Sequence, residues 1–266
     1  MPAPDLMIVT DLDGTLLDHH DYSFDAALPV LVRLQRAGVP VVFCSSKTPA
    51  EITALQERTG LIGQAFVAEN GAVVVGGGER VLAGPTHGDL DRLHAELARV
   101  RDALDLRFST FSGATDETVA DWTGLDLHAA AAARRREASE VLLWHAGDDD
   151  RADAFRHELA AAGFGLVRGG RFWHVLPAGR DKGAAIRMLL DDHERRTGAV
   201  PRTIGLGDGP NDTELLDAVD LAVVVHGHGP APGPLADDRP ERVHRTAAPA
   251  PHGWVEGITH FLRSDR

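Results

Sequence analysis

The chain has one cysteine, Cys44, so it cannot form an intrachain disulfide, which fits a reducing cytoplasm. It has no apolar run close to the ~20 residues of a membrane span. The stretch from Met1 to Thr10 has no basic region, so it does not read as a signal peptide. Positive charge is also scarce. Lys and Arg number 27 against 40 Asp and Glu, a net charge of -13, and this argues against nucleic acid as a partner. No Walker A pattern occurs. Gly205-x-Gly207-x-Gly209 lacks the last glycine of a dinucleotide loop, and Asp208 would repel a pyrophosphate. Fourteen histidines are present, yet none falls in a zinc-binding spacing.

What is present is an ordinary globular composition, 43% hydrophobic and 25% charged, in 266 residues. That length can bury the core of one large or two small domains. The apolar run Leu6–Val9 reads as a buried parallel strand. A helical pattern follows over 23–37, then a strand over Val39–Phe43. Thr48-Pro49 is a good N-cap and N1 pair for a helix to about Arg58. Further strands are expected at Ala65–Ala68 and Ala72–Val75. The alternation resumes with a helix from Lys182 to about Arg196, strands at Thr203–Leu206 and Leu221–Val225, and a short helix over Asp212–Val219. Strand–helix alternation predicts an α/β fold with a mostly parallel, Rossmann-like sheet.

The middle of the chain differs. Helical patterns are expected at Asp89–Leu104, Leu127–Arg136 and Arg151–Ala162, and strands at Leu106–Phe111, Glu140–His145 and Phe164–Val167. This predicts an inserted α/β module over 84–170, with the core domain formed by 1–83 and 171–266. Gly227–Pro234 reads as a surface loop.

Polar clusters end several of the expected parallel strands, where open α/β sheets bind ligands. Asp11-Leu12-Asp13-Gly14-Thr15 places two carboxylates in one loop. Two such charges ~4 Å apart repel by roughly 4 kcal/mol at an effective dielectric of ~20, and a divalent cation is the usual remedy. Gly207-Asp208-Gly209-Pro210-Asn211-Asp212 adds two hard oxygen ligands suited to Mg²⁺, Ser45 a hydroxyl, and Lys182 a fixed positive charge. Each has a simpler reading when taken alone. Asp11 and Asp13 suit a turn or cap, Ser45 and Asp212 suit N-caps, and Lys182 suits a solvated helix. Arg134–Arg136 suits a helix end that complements the dipole, and Asn70 suits a turn before Gly71.

Together, Asp11-x-Asp13-Gly14-Thr15, Ser45, Lys182 and Gly207-Asp208-x-x-Asn211-Asp212 resemble the four signatures of the haloacid dehalogenase superfamily, phosphatase branch, in the right order. The resemblance implies a Rossmann-like core with an inserted cap, and an aspartyl-phosphate on Asp11. It implies that Asp13 acts as acid and then base, and that Ser45 and Lys182 hold the phosphoryl oxygens. Mg²⁺ would be held by Asp11, the carbonyl of Asp13, and Asp208, with Asp212 completing or orienting that shell.

A second set of motifs narrows the resemblance. Phe43-Cys44-Ser45-Ser46-Lys47-Thr48, Glu69-Asn70-Gly71, Thr123-Gly124-Leu125 and Ala132-x-x-Arg135-Arg136-Glu137-x-Ser139-Glu140 come first in the chain. Gly169-Gly170-Arg171-Phe172-x-His174 and Pro251-His252-Gly253-Trp254 come later. The set is similar to the mannosyl-3-phosphoglycerate phosphatases, which make the osmolyte mannosylglycerate. Gly209, where that family usually has Ser, and the Pro-, Gly- and His-rich segment over 225–246 depart from its pattern. They leave open a glucosyl-3-phosphoglycerate or broader sugar phosphate substrate. The expected substrate contacts are Arg136 and Arg171 on a carboxylate, Ser46 and Lys47 from the core side, and Asn70 and His174 on hydroxyls. Small-molecule chemistry in a cytoplasmic monomer or homodimer is the expected setting. A phosphomutase or a non-catalytic phosphosugar-binding module is the competing reading.

Overall fold

The computed structural model describes residues 6–78, 80–86, 88–145, 151–169 and 171–264. The strand β1 (Leu6–Thr10) lies inside an eight-stranded sheet, between β2 (Val41–Cys44) and β10 (Arg202–Gly207). Beyond β2 run β3 (Phe66–Ala68), β4 (Val73–Gly76) and β5 (Arg80–Ala83). Beyond β10 run β11 (Leu221–His226) and β12 (Val243–Pro249). Pairing from β12 through β3 is parallel, and β4 and β5 add an antiparallel edge.

Both faces of this sheet are covered, which is why its strands read as continuous apolar runs. Ile8 packs on one side with α1 (Leu28–Arg36), α2 (Pro49–Thr59) and α9 (His252–Ser264). Met7 and Val9 pack on the other with α7 (Lys182–Thr197) and α8 (Thr213–Asp217). The cap expected at Thr48 is present as a capping box. Glu51 N donates to Thr48 Oγ1 at 3.2 Å, and Thr48 N donates to Glu51 Oε2 at 2.9 Å.

A second, antiparallel sheet is built from β6 (Phe108–Thr110), β7 (Glu140–Trp144), β8 (Phe164–Arg168) and β9 (Trp173–Pro177), in the order β6-β7-β9-β8. Helices α3 (Asp89–Ala103) and α6 (Ala152–Ala161) pack with it through Leu93, Leu97, Phe155 and Leu159. Helices α4 (Asp116–Thr123) and α5 (Leu127–Arg134) pack around Phe111, Val119 and Val141.

One boundary moves. The core domain was expected to resume at residue 171, but β9 is the strand between β7 and β8. Residues 173–177 therefore belong to the inserted module, and the crossing back to the core falls between Pro177 and Lys182. The sheet requires this, because without β9 the strands β7 and β8 have no common neighbour. Gly170, part of the motif Gly169-Gly170-Arg171, and residues 1–5 of the expected core domain lie outside the described residues. The helix expected over 23–37 is confined to Leu28–Arg36, while α4, β12 and α9 were not anticipated. Among the described residues no helix is long and apolar enough to cross a membrane.

Candidate active site

At the C-terminal end of β1 the chain turns sharply. Gly14 has φ +82°, and a Cβ there would lie 2.6 Å from Asp208 Oδ2. Glycine thus lets two acidic loops from neighbouring strands come together. At the end of β10, Gly207 lets its own loop fold back tightly, since a Cβ there would sit 2.4 Å from the Cβ of Asp212. The result is a convergence of Asp11, Asp208 and Asp212, each with a carboxylate oxygen within 4.8 Å of the others'.

Lys182 supplies the compensating charge. Its side chain is completely buried, and Nζ donates to Asp11 Oδ1 and Asp212 Oδ1, both at 2.6 Å. The start of α7 is fixed by Asp181, whose Oδ1 accepts from Ala184 N at 2.7 Å. Asp212 has two tasks. Its second oxygen accepts from Asp208 N and Gly209 N, both at 3.0 Å, so it shapes the loop while anchoring the lysine. Thr15 Oγ1 donates to Asp208 Oδ1 at 2.9 Å.

One ammonium among three carboxylates leaves a surplus of negative charge. Burial, and then the charge on Asp212, push Asp11 up to about 7 although Lys182 opposes the shift. Burial, Asp11 and Asp212 push Asp208 up to about 8. Burial alone would lower Lys182, but Asp11 and Asp212 outweigh it and hold the ammonium charged well above its ordinary range. A buried, oxygen-only donor set with excess negative charge suits a hard divalent cation.

Asp11 and Asp208 open onto a cavity of about 350 Å³ between the two modules. Of the expected residues, Asp11, Asp13, Ser46, Lys47, Arg136, Arg171, His174 and Asp208 line it. Lys47 Nζ pairs with Asp13 Oδ2 at 2.9 Å and with Glu51 Oε1 at 3.6 Å. Burial lowers Lys47, but Asp13 and Glu51 more than offset this and raise it above the usual lysine range. Asp13 Oδ1 is buried without a hydrogen-bond partner.

Ser45, Asn70, Lys182 and Asp212 stand behind the wall. Ser45 organises its loop: its Oγ accepts from Lys47 N at 3.3 Å, and its carbonyl accepts from Asn70 N at 3.0 Å. Asn70 accepts from Asn211 Nδ2 at 3.3 Å, while its own Nδ2 has no partner.

The inserted module's cations are held differently from the picture of two free arginines. Arg136 donates twice to Ser139 Oγ, at 2.7 and 3.0 Å, and to Ser46 O at 3.1 Å. It also lies 3.8 Å from the fully buried Glu69. Glu69 was quoted in the sequence motif without a role. In the fold it accepts from Glu137 N at 2.7 Å, Ala138 N at 3.1 Å and Ser139 Oγ at 2.6 Å, so it fastens the module to the core. Its φ of 52°, followed by 56° at Asn70, is a left-handed pair of non-glycine residues, a strained arrangement that the surrounding bonds maintain. Arg171 Nη2 donates to Thr123 O at 3.0 Å and to Tyr22 Oη at 3.2 Å. Among the described residues it meets no carboxylate. His174 is buried with Nδ1 unpartnered, and burial, Arg136 and Lys182 push it down to about 3, so its imidazole is neutral.

A family model described as haloacid dehalogenase-like hydrolase matches residues 8–89, and one described as sucrose-6F-phosphate phosphohydrolase matches residues 157–262. A solved structure from Thermoplasma acidophilum is 18% identical, covering 96% of this chain and 97% of that one, with a TM-score of 0.68. A haloalkanoate-superfamily phosphatase from Bacteroides thetaiotaomicron is 15% identical, covering 96% and 94%, with a TM-score of 0.66. A sugar phosphatase of haloacid dehalogenase subclass IIB is 17% identical, covering 97% and 98%, also with a TM-score of 0.66. At these identities the structures share the fold of this chain.

Proposed function

We propose that the chain is a Mg²⁺-dependent phosphatase that hydrolyses mannosyl-3-phosphoglycerate to mannosylglycerate and phosphate. The observation that carries the reaction class is the buried convergence of Asp11, Asp208 and Asp212 around Lys182. The Asp11 carboxylate attacks phosphorus, the ester P–O bond breaks, and the leaving oxygen takes a proton from Asp13. Asp13 then takes a proton from water, which attacks the aspartyl-phosphate and returns Asp11. Lys182 holds Asp11 in place, and Ser45 orders the loop whose Ser46 and Lys47 face the cavity. Mg²⁺, when held by Asp11, the Asp13 carbonyl and Asp208, neutralises charge on the phosphoryl oxygens. Asp212 orients that shell through the Asp208 and Gly209 N–H groups.

The substrate assignment rests on the similarity of the cavity motifs to mannosyl-3-phosphoglycerate phosphatases. In this reading the inserted module is a cap that sets specificity. Arg171 and Lys47 attract the carboxylate, and neutral His174, which lines the cavity, reads hydroxyls. Other sugar phosphates form a second reading, favoured by the match of residues 157–262 to the model named for sucrose-6F-phosphate phosphohydrolase.

The test is a phosphate-release screen over mannosyl- and glucosyl-3-phosphoglycerate, simple sugar phosphates and 3-phosphoglycerate, with and without Mg²⁺. Release should need the cation and fall by about 10⁴-fold or more in Asp11→Asn. Undiminished release by that variant would overturn the nucleophile. A preference for simple sugar phosphates would overturn the substrate.

A further inference from the structure

A second cluster of metal-ligating side chains stands at the cavity mouth, apart from the carboxylates. His19 and His20, in the loop after β1, meet His228, in the loop after β11. All three side chains are exposed. His19 and His228 line the cavity. The ring centroids form a nearly equilateral triangle, with sides of 5.2, 5.1 and 5.2 Å.

That spacing has a chemical meaning. Zinc–nitrogen bonds of ~2.0–2.1 Å put an imidazole centre roughly 3.2 Å from the ion, and tetrahedral angles then put the centres about 5.2 Å apart. Octahedral angles would bring them to about 4.6 Å. We infer that His19, His20 and His228 form a tetrahedral site for a borderline transition-metal ion such as Zn²⁺, distinct from the carboxylate site.

The carboxylates already bring their ligand atoms within 4.8 Å of one another. The histidine nitrogens do not all come that close as the rings stand. The adjustment needed is small in kind. Turning a ring about χ2 moves its nitrogens while its centre stays near the rotation axis, and χ2 of histidine is a broad, soft torsion. With χ1 as it stands, the triangle of centres keeps these tetrahedral dimensions while the rings turn about χ2.

The surroundings favour a neutral imidazole at His19. Burial, and then the charges of His228, His20 and Arg171, lower His19, while Asp18 opposes them. Asp18 stiffens the loop by accepting from His20 N at 2.7 Å and Asp21 N at 3.3 Å, and it feels the charges of His20 and His228. Three protein ligands leave a fourth position, which at this place faces the cavity. The sequence alone hid the site. His19-His20 and His228 are far apart in the chain, and their spacing matches no zinc motif.

The experiment is a Zn²⁺ titration of tag-free protein in saturating Mg²⁺, which keeps the carboxylates occupied. Co²⁺ serves as a spectroscopic probe of coordination geometry. The inference expects one Zn²⁺ per chain, a tetrahedral Co²⁺ spectrum, and unchanged Zn²⁺ binding in Asp208→Asn. His20→Ala and His228→Ala should each weaken binding on the order of 100-fold. Melting curves in chelator should match the unsubstituted protein, since both residues are exposed loop positions. No bound Zn²⁺, an octahedral Co²⁺ spectrum, or full binding retained by either histidine variant would overturn the inference. None of these readouts depends on catalysis, so they stand or fall apart from the proposed reaction.

Discussion

At the sheet end of the cavity one buried ammonium, Lys182, is shared between Asp11 and Asp212. At the far end Arg136 and Arg171 direct their donors to Ser139, to backbone carbonyls and to a phenol. The first arrangement concentrates unbalanced charge where the backbone is held by parallel strands. The second uses charge to join two modules and leaves the cavity wall with polar surface. Chemistry that needs perturbed carboxylates fits the first region, and recognition by adjustable contacts fits the second. The difference can be tested one side at a time.

The largest effect should come from Lys182→Met. Removing one partner of a buried charge pair costs ~3–5 kcal/mol, because the remaining carboxylates stay buried without compensation. Chemical denaturation should show this loss at pH 8 and a smaller one at pH 5.5, where Asp11 is protonated. Equal stability of the variant and parent at pH 8 would mean that the lysine does not balance the cluster.

A second effect follows from the carboxylates themselves. Asp11 at about 7 and Asp208 at about 8 lie above the 3.8 of an unfolded aspartate, so the folded state holds protons that the unfolded state has released. Stability from this source is complete below about pH 4 and is lost as pH rises through 7 and 8. His174 acts in the opposite sense but only below its unfolded value of 6.5. Between pH 6.5 and 8.5, without divalent cation, Tm should therefore fall. Excess Mg²⁺ should raise Tm most at the alkaline end. A flat profile without the cation would break the picture of a charge-crowded core.

The two regions were also unequally legible in the sequence. Asp11, Lys182 and Asp208 sit in short motifs at strand or helix ends; each alone has a simpler reading, and only the ordered set of motifs makes the site legible. Thr48 could be read as a cap because capping is a contact within four residues. The role of Arg136 could not be read, because Glu69, Ser139 and Ser46 O are brought to it by tertiary folding. Residues 173–177 read as core because they precede the Lys182 motif. Only the hydrogen-bonding of β7 and β8 to either side of β9 places them in the inserted module. In the sequence Asp212 reads as a helix N-cap or as orienting a metal shell. Its side chain makes no N-cap bond to α8, and its oxygens take the Lys182 ammonium and the Asp208 and Gly209 N–H groups, partners its sequence position alone does not show.

On the far side, Glu69→Gln tests the joint. The amide would turn its NH₂ toward either Glu137 N or Ala138 N, which donate to different oxygens of Glu69, and leave Arg136 without its carboxylate. A buried, charge-assisted network of this kind should lose about 1–3 kcal/mol. The denaturation midpoint reads this directly. An unchanged midpoint would mean that the modules are held by the apolar contacts alone.

The smallest effect is expected at Arg171→Ala, and it separates the joint from recognition. The guanidinium is exposed, and its bonds to Tyr22 Oη and Thr123 O are surface bridges, so stability should change by less than about 1 kcal/mol. In the cavity, however, it is a cation that meets no carboxylate among the described residues. A substrate with a carboxylate away from its phosphoryl group would supply that partner. The variant should then raise KM by about tenfold on such a substrate, leave kcat little changed, and have little effect on a phosphate ester that lacks the carboxylate. If both substrates lose equally, Arg171 is only a strut between Tyr22 and Thr123, and the far region contributes shape to the cavity without charge.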